Sequence, residues 1–117
     1  EEKLYNYKFK IMEDKEILDK IDYLKNKYPS ITEIYINYYG SGDSFEGFDV
    51  SCIPHTEEFS DSEVEDIMEE MIERADSNFN NDGSRGTIII NLVQKSVNIE
   101  DYSQFMSEEL NAEITIK

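Results

Sequence analysis

Residues 31–53, ITEIYINYYGSGDSFEGFDVSCI, decide how this chain folds. Ile34, Ile36 and Tyr38 fall on alternate positions, and so do Phe48, Val50 and Cys52. Successive side chains of a strand point to opposite faces, so this alternation predicts two strands, 31–39 and 48–53, each with one apolar face. The first is rich in β-branched and aromatic residues, which suit a pleated, half-buried surface. Between them GSGDSFEG (40–47) has the glycine content of a loop. Pro54 stops the second strand.

Outward from this pair, the spacing predicts a helix over 64–79. Val64, Ile67, Met68, Met71, Ile72, Ala75 and Phe79 form one continuous stripe at the helical period, and at those positions the methionines read as core. Ser60 or Ser62, with Glu63 or Glu65 three residues later, supplies capping-box chemistry. NNDGS (80–84) suits a left-handed turn after the helix. Upstream, Ile17, Leu18, Ile21, Leu24 and Tyr28 predict a helix over 13–28 that Pro29 ends. LYNYKFKI (4–11) alternates and reads as a strand. Downstream, GTIIINLV (86–93), a segment opened by Val97 and Ile99 after a turn at Gln94–Lys95, and AEITIK (112–117) read as further strands, whereas 102–111 shows no clear pattern. The expectation is a single α+β domain over 1–117: a mainly antiparallel sheet of about five strands with two helices packed on one face.

Connectivity adds a spatial expectation. If strand 31–39 runs up, loop 40–47 lies at the top, strand 48–53 returns, and the helix at 64–79 climbs back. Ser41, Asp43, Ser44 and Glu46 should then lie near Asn80, Asn81 and Asp82. A strand ending in YYGSGDS, followed by an acidic helix ending in NNDG and a strand pair, resembles a family of small bacterial and phage proteins known as a domain of unknown function. The resemblance covers about residues 31–102, and Phe45 stands where that pattern has Gly. It implies the fold order and the pairing of the two loops, and no activity.

The chain has 117 residues and a net charge of −16, unevenly spread. Residues 1–30 balance seven acids with seven bases, whereas 57–82 hold eleven acids and one base, Arg74. Such charge argues against nucleic acid or an anionic membrane as a direct partner, because both are polyanions. No apolar run approaches the ~20 residues of a membrane span, and no charged n-region with an apolar h-region opens the chain. One cysteine, Cys52, and one histidine, His55, leave no usual nucleophilic triad. Cys52 reads as a buried small hydrophobe and His55 as a loop residue, in a reduced, cytoplasmic setting.

The 40–47 loop lacks the D-x-D-x-D-G pattern of a calcium loop, and no phosphate loop is present. Asp43, Glu46, Asp49 and Asp82 are oxygen donors for a hard cation, but turn capping by Asp and Asn is the plainer reading. The helix at 64–79 carries Ser62, Asp66, Glu69, Glu73 and Asp76 opposite much of its apolar stripe, widened by Glu65 and Glu70. Like charges at i,i+4 oppose helix formation. Lysines could have been interspersed there, as Lys15, Lys20, Lys25 and Lys27 are in the first helix. The expected function is therefore non-enzymatic, with no cofactor and no metal. The chain would be an acidic inhibitor or immunity-type protein that binds a basic, nucleic-acid-processing protein by charge mimicry. Phage anti-defence and toxin immunity both fit. The expected contact residues are Asp66, Glu69, Glu70, Glu73, Asp76, Asp43, Glu46 and Asp82. The alternative is a cation- or small-ligand-binding module built from loops 40–47 and 80–84.

Overall fold

The computed structural model describes residues 12–41, 44–56, 58–75, 83–103 and 109–117. Its elements are α1 (Asp14–Lys27), β1 (Glu33–Ser41), β2 (Ser44–Ile53), a 3₁₀ turn (Asp61–Glu63), α2 (Glu65–Ala75), β3 (Ser84–Asn91), β4 (Ser96–Ser103) and β5 (Glu109–Ile116). The strands form one antiparallel sheet in the order β2-β1-β3-β4-β5. The expected strand at 4–11 lies outside the described residues.

Register explains why one face of the sheet is apolar. Ile34 sits between Cys52 and Ile90, Ile36 between Val50 and Ile88, and Tyr38 between Phe48 and Gly86. Ile88 pairs with Ile99 and Ile90 with Val97, and these meet Ile114 and Ile116 on β5. Each alternation therefore lands on the same face, as the period of two requires. Ile17, Ile21 and Leu24 of α1 and Ile67, Met68 and Met71 of α2 join this face in a single buried cluster. Cys52 belongs to it, 8% exposed, and its thiol donates to the Pro54 carbonyl. His55 lies beyond the strand and is exposed.

Each helix is fixed locally. The Glu13 N–H donates to Glu16 at 3.0 Å in a capping box, with acids in the first turn of α1 and Lys25 and Lys27 in the last. Ser60 Oγ accepts from the Ser62 N–H, so the expected serine cap serves the 3₁₀ turn, and α2 starts after it. Glu63 does not close a capping box; its carboxylate is held by Lys27 and Tyr28.

Two β-bulges shift strand boundaries away from the alternation. Tyr39 pairs with Gly47 but Gly40 with Phe45, which leaves Glu46 over, so β2 begins at Ser44 and takes in most of the expected 40–47 loop. Asp101 pairs with Ala112 but Tyr102 with Leu110, which leaves Asn111 over. An extra residue breaks the alternation while the ladder continues, so 102–111 looked patternless although β4 runs to Ser103 and β5 starts at Glu109. The Asn111 bulge also has a use. Its Nδ2 donates to Asp101 Oδ1 at 3.0 Å and to the Ala75 carbonyl at 3.1 Å, tying the end of α2 to the sheet. Asp101 is fully buried, and the Tyr38 hydroxyl donates to its Oδ2.

Gly40 pairs with both Phe45 and Ser84, and Ser84 with Ser103. Gly40, Phe45, Ser84 and Ser103 therefore lie together at one end of the sheet. Gly83 there has φ 85°, open to glycine at no steric cost. Asp43, Asn80, Asn81 and Asp82 lie outside the described residues.

Candidate functional site

The acids of α2 divide by what they touch. Glu65, Asp66, Glu69 and Glu73 are exposed. Glu65, Glu69 and Glu73 recur every fourth residue, so they line one side of the helix. Glu70, expected beside them, points elsewhere. Its side chain is only 10% exposed and accepts from Arg74 Nε at 2.8 Å and from the Met12 N–H at 3.2 Å. The reason is helix geometry: Glu70 lies on the flank of α2 that meets Met12, at the start of α1. Arg74 continues the link to Asp14 Oδ1 and to the Met12 carbonyl, both at 2.6 Å. Asp76 lies outside the described residues. Glu46 is exposed at the β2 bulge.

The lysines of α1 do not serve α1 alone. Lys20 pairs with Asp66 at 3.2 Å, and Lys27 with Glu63 at 2.6 Å. Together with Asp14–Arg74, these cross-links run in opposite order along the two helices, so α1 and α2 are antiparallel. The Tyr28 hydroxyl donates to Glu63 at 2.8 Å. These bonds, Lys27's first, hold the Glu63 carboxyl below its ordinary range, while the Glu63 bond raises Lys27 and Tyr28. The contrast between a lysine-bearing helix and an acidic one thus marks a mutual pairing across the helix layer. The seven-residue spacing of Lys20 and Lys27, two turns on one flank, was its visible signal.

The other face of the sheet points away from both helices, and no described helix or strand lies over it. Its residues form rows across the strands. One row runs Asp49, Asn37, Thr87, Glu100, Glu113; the next runs Gly47, Tyr39, Arg85, Tyr102, Leu110. Tyr39 and Leu110 are 47% and 53% exposed. The Tyr35 hydroxyl donates to Glu33 at 2.6 Å and that of Tyr102 to Glu100 at 3.0 Å, each two residues along its own strand. The Glu33 bond raises the Tyr35 pKa, so this phenol stays a donor. The guanidinium of Arg85 lies 5.9 Å from the centroid of the Tyr102 ring. No local pattern marks this surface in the sequence, because the polar positions between the apolar ones of a strand have the composition of any solvent face.

A small open notch lined by Lys27, Tyr28, Ile31, Pro54, His55 and Glu58 sits beside the end of α1. Among the described residues, no three His, Cys, Asp or Glu side chains are grouped to hold a metal ion. No described helix is long and apolar enough to cross a membrane. Searches of protein-family models, curated proteins and solved structures each return no match to this chain.

Proposed function

We propose that this protein acts by binding a positively charged protein, as an inhibitor or immunity-type partner. One observation carries the reading: 27 acids face 11 bases, and cations of the helix layer are already engaged with acids of the same layer. Carboxylates therefore remain in excess, and exposed ones stand on rigid elements, among them Glu65 on α2 and Asp49 and Glu113 on the sheet. Side chains fixed on helices and strands present charge at constant spacing, which steers encounter with a basic surface. A row of carboxylates one helical turn apart also competes for a groove built for phosphates. The finer reading is thus a nucleic-acid-processing partner, met as phage anti-defence or toxin immunity, in the cytoplasm. We propose as well that the chain belongs to the family of small bacterial and phage proteins that its GSGDS and NNDG stretches resemble.

Capture from extracts of the native host tests it, followed by salt elution and by competition against a labelled duplex. The expected outcome is a basic protein released by added salt, whose duplex binding this chain displaces. Retention of no basic protein, or retention indifferent to salt, removes the proposal. Retention without displacement removes the nucleic-acid reading alone.

A further inference from the structure

We infer that the open face of the sheet, not the acidic side of α2, is the docking surface, and that it receives an arginine-bearing segment of the partner. This rests on the reading that the partner is basic, and adds which face meets it and which side chain is recognised. The five strands contain seven acids, of which Asp101 is buried on the helix side, and one base, Arg85. Lys117 lies just beyond β5. On α2, by contrast, Asp66 and Glu70 already meet Lys20 and Arg74. The exposed Tyr23 of α1 already has the Lys27 ammonium 5.7 Å from its ring centroid.

The sheet face joins two features that a guanidinium uses together. Tyr35, Tyr39 and Tyr102 offer flat rings, and Glu33, Asp49, Glu100 and Glu113 offer carboxylates in adjoining rows. Tyrosine hydroxyls hold two of those carboxylates, Glu33 and Glu100, in place. Arginine stacks on aromatic rings and binds carboxylate with two parallel N–H bonds, whereas lysine is a compact, strongly hydrated charge that does neither as well. Arg85 over Tyr102 is this chemistry already present on the face. A second copy of the chain is disfavoured, because it would bring one acidic face against another.

The test titrates the ¹⁵N-labelled full chain with octa-arginine and, separately, octa-lysine, at low and at raised salt. The inference predicts amide shifts centred on Tyr35, Tyr39, Arg85 and Tyr102, and tighter binding of octa-arginine. Replacing Tyr39 and Tyr102 by Leu should weaken octa-arginine by roughly two- to five-fold per ring and leave octa-lysine nearly unchanged. The pair Glu100→Gln and Glu113→Gln, which removes two like charges facing each other, keeps the fold and should weaken both peptides. Shifts confined to Glu65, Glu69 and Glu73 overturn the inference and leave the basic-partner reading standing. Equal affinity for both peptides, unmoved by the tyrosine changes, also overturns it. So does a dimer in sedimentation whose interface is this face. Absence of any salt-sensitive binding removes the inference and the reading together.

Discussion

At the scale of single residues, the polar knot around Asp101 is the feature most exposed to test. A Cβ on Gly86 would collide with the Tyr38 hydroxyl and with the Glu100 carbonyl. Gly86→Ala must therefore displace Tyr38 from Asp101. It should cost about 1–3 kcal/mol in urea unfolding, and an unchanged midpoint would refute the crowding. Tyr38→Phe removes one of the two donors that the described residues give a buried carboxylate and should cost roughly 1–3 kcal/mol. Sequence alone placed Tyr38 on the apolar face but gave no sign of the knot. Asn111 reaches Asp101 only because a bulge turns it inward, and a bulge is set by pairing between strands. Asp43, Asp76 and Asp82 stay expectations, since they lie outside the described residues.

At the scale of elements, the helix layer is held by charge as well as by its apolar stripe. Its pairs predict a pH effect of definite sign. Glu63 is held below its ordinary value of 4.5, so its share of stability is present above 4.5 and is lost as pH falls through the depressed folded value. Lys27, raised by the same bond, keeps its charge through neutral pH and gives up its share only as pH rises through its raised value. Glu63→Gln should thus lower the thermal midpoint near neutral pH, and the gap from the parent should close below 4.5. A gap that persists unchanged in acid would show that the pair adds nothing. Arg74→Met should cost about 1–3 kcal/mol, because it strands the largely buried Glu70 carboxylate. Replacing both Arg74 and Glu70 by apolar residues should recover part of that loss. The strands and both helical stripes were legible, because Ile34, Ile36, Tyr38 and Val64, Ile67, Met71 repeat with the period of their element. The cross-links were not, because they depend on the antiparallel setting of α1 against α2, which no local pattern encodes.

At the scale of the whole molecule, a charge of −16 repels itself in the compact state. Added salt screens that repulsion, so the thermal midpoint followed by circular dichroism should rise with ionic strength; a fall would mean that the ion pairs outweigh the surplus. The charge asymmetry along the chain was plain in the sequence, but its distribution in space was not. Residues 1–30 look neutral and 57–82 acidic, yet folding sets their lysines and carboxylates against each other. Exposed carboxylates stand on α2 and on the face of the sheet away from the helices. Binding of a basic protein through that surplus is the central claim. Its most direct measurement is the dissociation constant of the full chain for the captured host protein over a series of salt concentrations. Affinity that falls steeply and linearly on logarithmic axes as salt rises is the predicted result, and affinity that stays level across the series would contradict it.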